Sequence, residues 1–144
     1  MIKAILCGAS GKMGGFVAAA AEADGEIQVV AGVDKINNGA KFPIFSAFSD
    51  INVKADVIID FSNPALLDDL LDYAVKTGTP AVIATTGYSD AQIEKIKAAA
   101  QKVPIFFTFN MSLGVNLIAS LAKKAAQILC ESGCYYRFFK PRFA

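Results

Sequence analysis

The 144-residue sequence contains no histidine, and this absence removes more chemistry than any other feature of its composition. Histidine is the commonest general acid or base near neutral pH, and Ser-His and Cys-His nucleophiles depend on it. Whatever chemistry the chain takes part in must come from elsewhere. Cysteines number three. Cys130 and Cys134 are four apart, but without histidine or further thiols they cannot fill the usual four-ligand zinc site, so no metal is expected. Cys7 falls in a strand-like run and reads as a small buried hydrophobe.

Charge of one sign is also lacking. The net charge is +1 and the lysines are scattered, so no basic stripe forms that nucleic acid or an anionic membrane would need. No apolar run approaches the roughly 20 residues of a membrane span. Polar Gly8 to Lys12 interrupts the first apolar run and makes the N-terminus a poor signal peptide. A small-molecule partner and a cytoplasmic location are therefore expected. Hydrophobic residues make up 54% against 19% charged, a balance that predicts one compact, packed domain.

The pattern that is present is an alternation. Apolar runs at 2–7 (IKAILC), 27–33 (IQVVAGV), 56–60 (DVIID), 80–85 (PAVIAT) and 104–108 (PIFFT) have strand length and read as buried parallel strands. Helical patterns lie between and after them. Residues 62–78 begin with Ser62 or Asn63 as cap and Pro64 in the first turn, carry Leu67, Leu70, Leu71, Ala74 and Val75 on one face, and stop at Gly78. Residues 89–102 open with a capping box, Ser89 with Gln92, and place Ile93, Ile96 and Ala100 together. A last stripe joins Leu117, Ile118, Leu121, Ala122, Ala125, Ile128 and Leu129. Only 35–55, with Asn37, Asn38, Gly39 and Pro43, shows no period and reads as an irregular crossover. The fold class predicted is α/β, a Rossmann-like doubly wound parallel sheet of about five strands in a single domain.

In such sheets ligands bind beyond the carboxyl ends of the strands. After the first strand comes Gly8-Ala9-Ser10-Gly11-Lys12-Met13-Gly14. Its spacing serves equally a dinucleotide pyrophosphate grip and a tight strand-to-helix corner. It is not a P-loop, because two residues rather than four precede Gly-Lys and Met13 follows. Asp34 ends the second run and is suited to ribose hydroxyls, while Lys35 beside it suits a 2′-phosphate; NAD and NADP both remain open. Polar turns then follow the third, fourth and fifth runs: Asp60-Phe61-Ser62-Asn63-Pro64, Thr85-Thr86-Gly87-Tyr88, and Asn110 to Asn116.

The glycine turn together with "VIIDFSNP", "VIATTGYS" and "FNMSLGVNL", in this order, resembles the amino-terminal part of the 4-hydroxy-tetrahydrodipicolinate reductases, also called dihydrodipicolinate reductases, of bacterial lysine biosynthesis. The resemblance runs from Met1 to about Leu129. It implies a dinucleotide-binding domain for NADPH or NADH over 1–129. Gly8, Ala9, Ser10, Gly11, Lys12 and Met13 would wrap the pyrophosphate, and Asp34 and Lys35 would face the adenosine ribose. Phe61 and Ser62 would lie along the cofactor. Ala84, Thr85, Thr86 and Gly87 would sit near the nicotinamide, with Thr108, Asn110 and Met111 beside it at a hinge. Ala84 stands where the family usually has glycine. The family reduces an unsaturated cyclic dicarboxylate and draws its acid from a paired-histidine segment in a substrate domain, which these residues do not contain. The chain alone is accordingly expected to bind cofactor without turnover, with no catalytic residue of its own and an open oligomeric state.

Residues 130–144 differ in composition from the rest. Both arginines and five of the fifteen aromatic residues fall after Glu131, and the tail reads as an atypical terminus such as a frameshift or truncation would leave. Two rival readings follow from the same residues. A non-catalytic dinucleotide-binding module makes the same prediction of binding without turnover. A short-chain dehydrogenase would use Tyr136 and Lys140, but Pro141 follows at once and nothing else matches.

Overall fold

The computed structural model describes residues 1–37, 39–108 and 113–131. It forms two compact units, Met1–Phe109 and Asn110–Ala144. In the first, six strands pair in parallel in the order β3-β2-β1-β4-β5-β6: β1 (Ile2–Cys7), β2 (Ile27–Val33), β3 (Ile44–Phe45), β4 (Val57–Asp60), β5 (Ala81–Ile83) and β6 (Ile105–Phe107). This is the strand order of the doubly wound dinucleotide folds, in which the order reverses beside the first strand.

The sheet has one strand more than the sequence reading gave. Ile44 and Phe45 pair with Gly32 and Val33 at the edge, and a 3₁₀ turn, Phe48–Asp50, follows. Two residues after Pro43 are too short for a period, so the segment is legible only through its partner strand. β1 lies at the centre, and its Ala4, Ile5, Leu6 and Cys7 have no exposed surface. Ile5 and Cys7 enter the main core with Val33, Ile58, Ile83 and the inner faces of the helices α2 (Leu67–Thr77) and α3 (Asp90–Ala100). Ala4 and Leu6 alternate to the other face, the side on which helix α1 (Lys12–Asp24) buries Gly14 and Ala21. Burial is weaker toward the far edge. Phe106 on β6 is 60% exposed, so that run is not buried on both faces as expected.

Local chemistry explains the helix limits. Asn63 Oδ1 accepts the Ala65 N–H at 3.0 Å, and Pro64 opens the turn that leads into α2. Gly78, at φ 68°, ends α2 in the left-handed region. Ser89 and Gln92 form the capping box of α3. In α3 the buried alanine is Ala99, not Ala100. Gln92, Ile96, Ala99 and Val103 follow steps of three and four, and one alanine could not be told from its neighbour by type. In the second unit, α4 (Leu113–Glu131) is helical as expected, and its Leu117, Ile118, Leu121 and Ile128 are exposed. Among the described residues no helix is long and apolar enough to cross a membrane.

Candidate functional site

The register of the sheet levels the carboxyl ends of its strands. Cys7 is opposite Val33 on one side and Asp60 on the other, Asp60 is opposite Ile83, and Ile83 is opposite Phe107. Each following residue is tied to the neighbouring strand by one more backbone bond. Gly8 N–H donates to Val33 O, Phe61 N–H to Cys7 O, Ala84 N–H to Asp60 O and Thr108 N–H to Ile83 O, at 2.9 to 3.2 Å. The glycine turn and the segments beginning at Asp34, Phe61, Ala84 and Thr108 therefore start along one edge. Asn110 and Met111 lie outside the described residues, as do Asn38, the tail from Ser132, and Tyr136 and Lys140.

The glycines of the first turn divide by what surrounds them. Gly8 has φ 75°, and a Cβ on it would lie 2.4 Å from the Phe61 carbonyl oxygen. At Gly14 a Cβ would lie 2.2 Å from Gly8 O and 2.8 Å from two backbone atoms of Ala9, so this glycine lets α1 sit directly on the turn. Gly11 is different. Its φ of −76° suits any residue, and among the described residues the only atom close to its missing Cβ is Gly8 O, at 3.2 Å. The close packing at Gly8 and Gly14 supports the corner; Gly11 leaves room for something else. Gly11 also caps α1 without any side-chain hydrogen bond, so the helix N-terminus keeps donors of the kind that bind phosphate.

Asp34 is fastened to this turn. Its Oδ2 accepts the Ser10 N–H at 2.9 Å and its Oδ1 the Lys35 N–H at 2.7 Å, while Ser10 Oγ donates to the Ile36 carbonyl. Each carboxylate oxygen keeps a second acceptor position. Lys12 and Lys35 are exposed. On the other side of Gly8 lies a residue that sequence reasoning treated only as part of a polar turn. Asp60 is fully buried, yet its Oδ1 accepts from both the N–H and the hydroxyl of Ser62 and its Oδ2 accepts the Tyr88 hydroxyl at 3.2 Å. A charged group ending the apolar run "VIID" was the available sign, because a carboxylate there is tolerated only with donors around it.

Among the described residues Thr85 Oγ1 is the one buried side-chain oxygen or nitrogen without a hydrogen bond. It lies close enough to the Tyr88 phenol to favour its ionised form slightly, but not in hydrogen-bonding geometry. Burial first, and the Asp60 carboxylate second, raise the Tyr88 phenol above its ordinary value of 10. The same two causes, in the same order, raise the buried Cys7 thiol above 9. Both groups keep their protons in the folded chain at a pH where the unfolded chain releases them. The stability this confers is complete below about pH 8 and is lost as pH rises from the range where the unfolded thiol and phenol ionise toward the raised folded values. The urea midpoint is expected to hold up to about pH 8 and then fall, with Tyr88→Phe reducing the part of the fall that begins near about pH 10, to which Tyr73, also raised by burial, contributes the rest. A Tyr88→Phe profile parallel to wild type throughout contradicts this assignment.

Comparison with known proteins gives the family. The family described as "Dihydrodipicolinate reductase, N-terminus" matches residues 2–111. The 4-hydroxy-tetrahydrodipicolinate reductase of Caldanaerobacter subterraneus subsp. tengcongensis is 43% identical over 129 residues, covering 90% of this chain and 51% of that protein. The Clostridium novyi enzyme of the same name is 41% identical over 133 residues, covering 92% of this chain and 53% of its own length. The chain thus spans about half the length of these curated relatives. In fold it is similar to the dipicolinate-bound dihydrodipicolinate reductase of Paenisporosarcina sp. TG-14, with a TM-score of 0.74 and 23% identity over 88% of this chain and 54% of that one. The chain belongs to the dihydrodipicolinate reductase family and corresponds to its amino-terminal domain.

Proposed function

We propose that this amino-terminal domain binds NADH or NADPH across the carboxyl edge of its sheet, and that residues 1–129 are the cofactor-binding part of a 4-hydroxy-tetrahydrodipicolinate reductase acting in the cytoplasm. The observation that carries the reading is Gly11: it opens α1, lacks a side-chain cap and, among the described residues, has only Gly8 O near the position a side chain would take. Gly8 to Met13 hold the pyrophosphate through backbone N–H groups, as helix N-termini do. Asp34 accepts from the adenosine ribose and Lys35 tolerates a 2′-phosphate. Phe61, Ser62, Ala84, Thr85, Thr86 and Gly87 line the path to the nicotinamide, with Thr108 at its end; Asn110 and Met111 are assigned to the nicotinamide by the family resemblance alone. The nicotinamide, when bound, supplies the hydride that reduces an unsaturated cyclic dicarboxylate.

This chain's contribution is to hold and orient. With no histidine among its 144 residues, the proton that completes the reduction has no obvious donor here. The 144-residue chain is expected to show saturable thermal stabilisation by NADH and NADPH and no oxidation of either, followed at the nicotinamide absorbance, when the dicarboxylate precursor is added. Turnover would contradict the division of labour. Absence of stabilisation by both nucleotides would return the glycine turn to a purely structural role.

A further inference from the structure

Two segments of the carboxyl edge, the turns after β4 and β5, meet at one buried carboxylate. Asp60 has no exposed surface, its Oδ1 binds the N–H and hydroxyl of Ser62, and its Oδ2 binds the hydroxyl of Tyr88, 28 residues away. Its main-chain carbonyl accepts the Ala84 N–H, so the same residue holds the start of the 84–88 turn through backbone and its end through side chain. The Phe61–Ser62 backbone that Asp60 fixes lies directly against Gly8, with the Phe61 carbonyl oxygen 2.4 Å from where a Gly8 Cβ would be. The Tyr88 ring in turn stands edge-on to Phe107 with centroids 5.8 Å apart, which ties the turn to the end of β6, next to Thr108.

A fully buried carboxylate with three donors is costly to assemble, and a core position facing α2 and α3 could have been filled by an apolar side chain. What an apolar residue could not supply is a fixed distance between two turns. We propose that Asp60 and Tyr88 form a clamp that sets the separation of the 61–62 and 84–87 segments, and that both are positioning residues for the nicotinamide half of the dinucleotide site. The inference rests on the cofactor reading above and adds a division within that site. The adenosine half, built on Gly8 to Met13 and Asp34, is anchored by Ser10 and β2 instead. In this strand order a dinucleotide runs from the end of β2 across β1 to the ends of β4 and β5; the Gly8 turn, although Phe61 packs against it, is also held by Gly8 N–H on Val33 O and Ser10 N–H on Asp34, so loosening the clamp acts chiefly on the nicotinamide end.

The test compares two ligands on the full 144-residue chain: NADH, which occupies both halves, and ADP-ribose, which lacks the nicotinamide. Tyr88→Phe removes a single hydroxyl and keeps the ring against Phe107, and Asp60→Asn keeps the shape of the buried side chain. Each is expected to weaken NADH about fivefold to tenfold, as loss of a hydrogen bond to a charged group does, while ADP-ribose affinity stays within about twofold. Equal weakening of both ligands, or no change in either, overturns the clamp, because a merely structural role moves both together. So does a wild-type chain that binds the two ligands alike. If Asp60→Asn does not fold, Tyr88→Phe decides alone. A wild-type chain that binds neither ligand defeats the cofactor reading itself and the clamp with it, an outcome distinct from an unchanged ratio in a chain that binds.

Discussion

Gly14→Ala is expected to cost this chain roughly 3 kcal/mol or more of its stability, a large share of the approximately 5–15 kcal/mol that holds a domain of this size together. The new methyl would stand 2.2 Å from Gly8 O and 2.8 Å from the Cα and carbonyl carbon of Ala9. All three are backbone atoms of the strand-to-helix turn, so no flexible side chain can yield. The gain of about 1 kcal/mol from replacing a helical glycine by alanine is outweighed. Gly15 provides the control. It is the next residue of α1, and no atom of the described residues lies within 4 Å of its missing Cβ, so Gly15→Ala is expected to stabilise by up to about 1 kcal/mol. Denaturant unfolding of the two variants should therefore give opposite signs. Shifts in the same direction would mean that α1 does not seat on the turn through Gly14.

Gly11→Ala is expected to leave stability within about 1 kcal/mol of wild type and to weaken NADH and NADPH at least about tenfold. The backbone at Gly11 is extended, at φ −76° and ψ 168°, which alanine adopts freely. Its one close protein neighbour, Gly8 O at 3.2 Å, asks for a shift of a few tenths of an ångström. A methyl group there is tolerated by the protein but would occupy the approach to the amides that open α1, where the phosphate of the proposed cofactor would have to come within hydrogen-bonding distance. Gly8→Ala should lose both properties, since φ 75° and the 2.4 Å approach of Phe61 O make it structural first. Unfolding midpoints and nucleotide titrations on the same three preparations separate these roles. A Gly11→Ala protein that binds nucleotide as tightly as wild type would remove the reason for reading the turn as a grip.

Most of the sheet was legible because its strands are short apolar runs bounded by turn residues. Ile2–Cys7 and Ile27–Val33 fall where the pattern put them. Ile44 and Phe45 were not legible, since their strand character comes from Gly32 and Val33 across the edge and not from any period of their own. Ala99 and Ala100 show the limit of pattern in another way, as identical side chains give helical spacing nothing to choose between. Among the site residues, Gly8, Gly11 and Gly14 were visible by spacing, but their unequal roles were not, because only Phe61 O and Ala9 tell the packed glycines from the open one. The Asp60–Tyr88 contact was hidden by its 28-residue separation. Neither residue type signals a buried pair until the turn after β5 is folded back over β4.

A dinucleotide lying along the carboxyl edge, with its phosphates at the start of α1, would touch a defined set of backbone amides. Backbone amide NMR of the 144-residue chain titrated with NADH tests it residue by residue. Saturable shifts are expected at Gly11, Lys12 and Met13, accompanied by Lys35, Ser62 and Thr85 to Gly87, while Lys3, Glu26, Asp56 and Ala81 at the opposite edge stay in place. Shifts centred on that opposite edge, or none at a nucleotide concentration that stabilises the chain, would contradict it.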